Sequence, residues 1–144
     1  MAMSKFRELK YYLASDYIRL GGGGIMNFCK ILCLNEGFKY VFWLRICHFI
    51  CKDHLLLPLF VVASLRLRRL QHKYGIQIPY TTTIGPGFYI GHFGTIVISE
   101  YAIIGKNVNI SQGVTIGHAN RGLRKGVAQI GDEVYIGPGA KIVG

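Results

Sequence analysis

Two patterns of apolar and polar positions divide the chain. From residue 76 an aliphatic residue recurs every six positions: Ile78, Ile84, Ile90, then Ile98, Ile104, Ile110, Ile116, then Ile130, Ile136, Ile142. Glycine follows most of them, as in Ile84-Gly85, Ile104-Gly105 and Ile136-Gly137, and a small or branched residue sits four places on at Val108, Val114, Val134 and Ala140. A period of six fits neither the helical nor the alternating strand repeat. It predicts a parallel β-solenoid with short flat faces, in which each aliphatic side chain points into a stacked core and glycine serves the corner.

Residues 1–75 follow helical spacing instead. "KFRELKYYLASDYIRL" places Phe6, Leu9, Leu13, Tyr17 and Leu20 at three- and four-residue intervals, one apolar stripe. Gly21 to Gly24 break the pattern; with no GK[ST] after them they read as a connector rather than a phosphate loop. Three apolar-rich segments follow: "IMNFCKILCLN", "FKYVFWLRICHFICK" and "LLLPLFVVASLRLRRLQHKYG". The division is therefore a helical region over 1–75 and a β-helix domain over 76–144, mainly β in class. The longest apolar run, Leu55 to Ala63, contains Pro58 and falls well short of the ~18 residues a spanning helix needs. Arg66, Arg68, Arg69 and Lys73 flank it, as in helices that lie on a membrane surface, so peripheral membrane contact stands beside ordinary packing in an oligomer.

Charge narrows the partners. Seventeen Lys and Arg against seven Asp and Glu give a formal charge of +10, which points to an anionic partner such as a phosphate-bearing small molecule or a lipid headgroup. No nucleic-acid-binding signature accompanies it, so nucleic acid is not expected as a partner. With 51% apolar residues the chain can bury a core, which argues against disorder. Cys29, Cys33, Cys47 and Cys51 form two i, i+4 pairs without the CxxC spacing of a zinc site, so no metal is expected. They read as buried thiols in a reducing cytosol. The start, "MAMSKFRELKYYLASDY", lacks the apolar core of a signal peptide, which leads to the expectation of a cytoplasmic protein, with the inner face of the membrane as a variant.

The stretch "IGHFGTIVISEYAIIGKNVNISQGVTIGH" runs from Ile90 to His118 and begins and ends on Ile-Gly-His. With the six-residue period it resembles the hexapeptide-repeat acyltransferases, whose left-handed β-helix takes three hexads per coil. Within them it is similar to the serine acetyltransferases and to their relatives that O-acetylate capsular and exopolysaccharides. The matching features are His92 followed by Gly94, the "IVIS" strand, Glu100 and "SQGVTIG"; "YVFWLRICHFI" is similar to the helical lead-in of the polysaccharide branch. The resemblance implies an acetyl-CoA-dependent O-acetyltransferase needing no metal. The expected acceptor is a saccharide, small or lipid-linked, in capsular or exopolysaccharide biosynthesis; serine O-acetylation in cysteine biosynthesis is the alternative. It also implies a homotrimer with active sites in the clefts between subunits.

Residue by residue, the resemblance implies that His92 is the base. A neutral imidazole suits removal of a hydroxyl proton because its ordinary pKa lies near working pH. His118 is the second catalytic candidate: the serine enzymes usually have glycine there, whereas the polysaccharide branch often shows "IGH". Backbone N–H groups or protonated His118 would stabilise the oxyanion. With three hexads per coil, the two histidines hold equivalent positions on neighbouring faces, one coil apart, and cannot stack within one chain. Gln77 and Gly91 stand where the serine enzymes carry aspartates, which weakens the amino-acid acceptor and favours a neutral polyol. The substrate-binding candidates are Gln77, Gly91 and Glu100, with Glu100 also the remaining candidate to orient a histidine.

The hexads break between Ile116 and Ile130, so "HANRGLRKGVAQ" is expected to protrude as a loop. The resemblance sets Gly117 and this loop at the coenzyme cleft, with Arg121, Arg124 and Lys125 toward its phosphates. "IGPGAKIVG" resembles the rung along the pantetheine arm, giving Gly137, Gly139, Ala140 and Lys141 as further coenzyme contacts; Pro138 has no N–H to offer. The last hexad is uncapped, which reads as a truncated chain lacking part of the coenzyme site. Two rival readings are a metal-binding β-helix of the γ-carbonic-anhydrase kind and an inactive scaffold. The first needs three histidines, and the solenoid holds His92 and His118 alone.

Overall fold

The computed structural model describes residues 4–123 and 125–144. Four helices come first: α1 (Lys5–Ile18), α2 (Ile25–Leu34), α3 (Glu36–Ile50) and α4 (Leu57–Tyr74), with a short 3-10 turn at His54–Leu56. Their ends are set by local chemistry. Asn35 caps α3 by accepting the Phe38 N–H at 2.7 Å, Pro58 fits the first turn of α4, and Gly75 ends α4 at φ +61°.

Strands begin at once after Gly75 and wind three flat faces. The first face holds β1 (Ile76–Gln77), β4 (Ile96–Ile98), β7 (Thr115–Ala119) and β11 (Lys141–Val143). The second holds β2 (Thr83–Ile84), β5 (Ile103–Ile104) and β9 (Gln129–Ile130); the third holds β3 (Tyr89–Ile90), β6 (Asn109–Ile110) and β10 (Tyr135–Ile136). Every pairing within these faces is parallel, and the register stacks like on like: Ile84 on Ile104 on Ile130, Ile90 on Ile110 on Ile136, Ile98 on Ile116 on Ile142. Fully burying one such side chain stabilises by about 1.5–3 kcal/mol, and the columns repeat that gain on every coil.

Glycine has a different role after isoleucine than the sequence led us to expect. A Cβ on Gly85 would lie 2.6 Å from the Gly105 carbonyl oxygen, and one on Gly105 would lie 2.7 Å from the Gly131 carbonyl. These glycines let successive coils stack closely; they do not turn the corner. Corners are turned elsewhere, at stacked left-handed residues such as Gly87, Asn107 and Glu133, with φ of 76°, 54° and 59°.

The helices close the lower end of this stack. A first coil has no coil beneath it, so its backbone groups need other partners. Arg45 on α3 donates to the carbonyls of Ile84 and Gly85, both at 2.6 Å. Asp16 on α1 accepts the Phe88 N–H at 2.8 Å and pairs with Arg45 through bonds of 2.9 and 3.1 Å. The Tyr40 hydroxyl accepts from the Ile78 N–H at 3.2 Å and donates to the Ile78 carbonyl at 3.0 Å. His48 Nδ1 lies 2.7 Å from the Tyr80 carbonyl, and a Cβ on Gly37 would collide with the carbonyl of Ile90. The helical half is an end cap.

Two expectations are corrected by this arrangement. The α1 residues buried against the cap are Asp16 and Tyr17, because Asp16 must reach Arg45; Phe6 is exposed, and Phe6, Leu9 and Leu13 line an open apolar groove with Phe28. The cysteines are not uniformly buried: Cys47 is buried and Cys51 half-buried at the end of α3, but Cys29 and Cys33 are exposed because α2 buries no residue.

Candidate active site

The sequence candidates fall on both edges of the first face. At one edge, where the chain leaves the third face, the register carries Gly91 under Ser111 and Gly137, and His92 then falls in a two-residue insertion before Gly94. The bend is held by Gly94, Gly113 and Gly139, with φ of 113°, 73° and 74°. Gly113 N–H donates to Gly94 O at 2.8 Å, and Gly139 N–H donates to Gln112 O at 2.9 Å. His92 and the Gly137–Ala140 segment thus share one edge of the prism, two coils and on the order of 10 Å apart at sheet spacing. The His92 imidazole is exposed. Its surroundings come from the cap: Phe93 packs on Tyr74 at 5.2 Å between ring centroids, and Gly37 abuts the Ile90 backbone.

At the other edge the chain leaves the first face for the second. Past the Ile98–Ile116 pair the lower chain turns at Glu100 and Tyr101 while β7 runs on through His118. The Tyr101 ring meets His118 edge-on at 5.7 Å, and the Glu100 carboxylate hydrogen-bonded beside it raises the Tyr101 phenol above its ordinary value. Tyr101 was not among the sequence candidates, although the register signals it once the coil length is known. Glu100 therefore sits with Tyr101 and His118, and not with His92 as an orienting partner. Among the described residues no hydrogen bond joins His92 to Gln77, Gly91 or Glu100.

Along the Glu100 edge of the first face lies a groove of about 410 Å³, lined by Gln77, Pro79, Val97, Glu100, Tyr101 and Gly117. It brings together three sequence candidates: Gln77 from β1, Glu100 after β4 and Gly117 within β7. The outward-facing ladder up this face is Gln77, Val97, Thr115, Lys141. Lys141 Nζ donates to the Gly113 carbonyl at 2.7 Å and to Thr115 Oγ1 at 2.8 Å, so its ammonium is engaged within the chain.

The expected loop after Ile116 is a hairpin in its outer part. β8 (Gly126–Val127) pairs antiparallel with β7, His118 opposite Val127 and Ala119 opposite Gly126. Arg121 and Lys125 stand exposed at its tip, and Arg124 lies outside the described residues. The Gly139 N–H is spent on the Gln112 carbonyl of the coil below and the Ala140 N–H on the Gly137 carbonyl within its own turn, so neither is free for a ligand at that rung. Among the described residues no cluster of three His, Cys, Asp or Glu side chains is placed to hold a metal.

No protein-family model matches the chain. A serine acetyltransferase of Staphylococcus aureus is 43% identical over 70 residues, 49% of this chain and 33% of that protein. Among solved structures, serine acetyltransferase isoform 3 of Entamoeba histolytica in complex with cysteine superposes with a TM-score of 0.72. It is 27% identical and covers 98% of this chain and 50% of that one. The Brucella abortus serine acetyltransferase in complex with coenzyme A has a TM-score of 0.67 at 25% identity, over 96% of this chain and 53% of that one. The chain is serine acetyltransferase-like. Its β-solenoid is the left-handed β-helix of hexapeptide-repeat transferases. It spans about a third of the length of the curated relative and about half of the two solved chains.

Proposed function

We propose that this chain carries the catalytic coils of an acetyl-CoA-dependent O-acetyltransferase. One observation supports this above the others: an exposed imidazole, His92, on the same edge as the glycine-rich Gly137–Ala140 rung, in a fold shared with an acetyltransferase solved with coenzyme A. His92 takes the proton of the acceptor hydroxyl as its oxygen attacks the thioester carbonyl. When the tetrahedral intermediate collapses, the C–S bond breaks and His92 returns that proton to the departing thiolate. General-base help of this kind is worth about 10²–10⁴ in rate. Arg121 and Lys125 offer charge for the coenzyme phosphates.

His92 and His118 border opposite edges of one face on different coils. A homotrimer that set the His118 edge of one protomer against the His92 edge of the next would join them in one cleft, with His118 at the oxyanion. Serine replaces a saccharide as the leading acceptor, because the relatives are serine acetyltransferases. A saccharide stays as the second reading on one observation. Gly91 precedes His92 and Gln77 lies in the groove, so the positions that by resemblance hold aspartates in the serine enzymes carry no carboxylate here, and a buried ammonium calls for one.

The test is thiol release from acetyl-CoA with serine and, separately, with a panel of sugar nucleotides. Serine turnover well above the no-acceptor rate is expected. Turnover of a sugar in place of serine would reverse the acceptor, and no thiol release with any acceptor would overturn the proposal.

A further inference from the structure

The exposed surface of α4 changes character halfway along its length. On one stripe Leu57, Val61 and Leu65 are followed by Arg68 and His72; on the neighbouring one Pro58 and Val62 are followed by Arg66, Arg69 and Lys73. Most of these side chains are exposed, while Ala63, Leu67, Leu70 and Tyr74 bury the opposite face in the core of the cap. The turn before the helix adds Leu55, 93% exposed, to the apolar end. α4 contains no Asp or Glu, and the nearby Asp53 is paired with Lys5 at 3.8 Å. No helix among the described residues is long and apolar enough to cross a membrane.

We infer that α4 docks on an anionic lipid surface, its N-terminal leucine and valine end entering the headgroup boundary and its C-terminal cations held at the level of the phosphates. The sequence alone offered an apolar run flanked by cations and left its contact with a membrane open. The structure sets both on the exposed side of one helix, segregated along its axis, which fits a tilted entry in which depth and charge change together. Charge selects the occupant: a lipid surface rich in phosphates complements Arg66, Arg68, Arg69 and Lys73. A second copy docked about a twofold would set these cations against either their own equivalents or the other copy's leucines and valines, and in neither arrangement would they meet an anion, since α4 carries no Asp or Glu.

The experiment is cosedimentation of the full chain with vesicles of phosphatidylcholine alone or mixed with phosphatidylglycerol, at low and high salt. Binding should favour the anionic vesicles and weaken with salt, since screening shortens the reach of surface charge. Each basic residue near such a surface contributes about a fivefold factor, so Arg66→Glu with Arg69→Glu should lower partitioning by at least about tenfold. Leu55→Asp with Val62→Asp should lower it while leaving the far-ultraviolet circular dichroism and acetyl transfer unchanged. Equal partitioning onto neutral and anionic vesicles would overturn the inference, as would binding to neither. A concentration-dependent dimer abolished by the Leu55→Asp, Val62→Asp variant would overturn it in favour of a second copy.

Discussion

Ile104 in the β-helix and Arg45 in the cap are both buried, yet they hold the molecule in opposite ways. Ile104 is one of a column, with Ile84 below and Ile130 above doing the same job. Arg45 stands alone: one guanidinium satisfies two carbonyls of the first coil and one carboxylate, and its charge lies 4.7 Å over the Tyr12 ring. Repetition spreads risk across the coils. The cap concentrates it in a few polar side chains used once, because the edge it must cover has no repeat of its own.

The sharpest break of this contrast is Asp16→Ala. It strands a guanidinium that is 4% exposed, and removing one partner of a buried pair costs about 3–5 kcal/mol, read as a lower denaturant midpoint. A loss below about 1 kcal/mol would mean the cap does not depend on this pair. Tyr40→Phe should come next. It keeps the ring but orphans the Ile78 N–H and carbonyl at the start of the β-helix, costing about 1–3 kcal/mol in the same measurement. Ile104→Val, which trims one methylene from one column, should cost only about 0.5–1.5 kcal/mol. If Ile104→Val proved worse than Tyr40→Phe, the coils would be the less tolerant half.

Alkali offers the gentlest probe. Burial pushes the Tyr40 phenol and the Cys47 thiol up to about 12, from 10.0 and 9.0 respectively. Both groups keep their protons in the folded state over a range where the unfolded chain has lost them. Their contribution is therefore complete below pH about 9 and is lost as pH rises toward 12. Cys47→Ala should flatten this decline in chemical denaturation curves measured across that window; an unchanged slope would remove Cys47 from the account.

The same contrast explains what the sequence disclosed. Six-residue spacing of isoleucine is redundant, so the solenoid and its inward-pointing isoleucines could be read from the spacing, and the three faces followed from the resemblance to the hexapeptide-repeat acyltransferases. Asp16 and Arg45 could not, since one of two acids on α1 and a lone base within "VFWLRIC" look like ordinary helix residues until the open edge of the first coil is seen. The close-stacking role of Gly85 and Gly105 shows only once the coils lie on one another. At the candidate site the spacing placed Glu100 on a hexad without saying which histidine it would meet. The two-residue insertion around His92 and the hairpin after His118 shift the register coil by coil, and only the structure shows the His118 ring against Tyr101, the neighbour of Glu100.

The claim on which the functional account rests is that the exposed imidazole of His92 moves the acceptor proton. The direct measurement is kcat for coenzyme A release by His92→Ala against the native chain, at saturating acetyl-CoA and acceptor, with thermal midpoints of both. Because His92 is exposed and its side chain makes no hydrogen bond among the described residues, the midpoint should stay unchanged while kcat falls by about 10²–10⁴. A fall of less than about fivefold at an unchanged midpoint would contradict the account, since a base worth so little is not carrying the reaction.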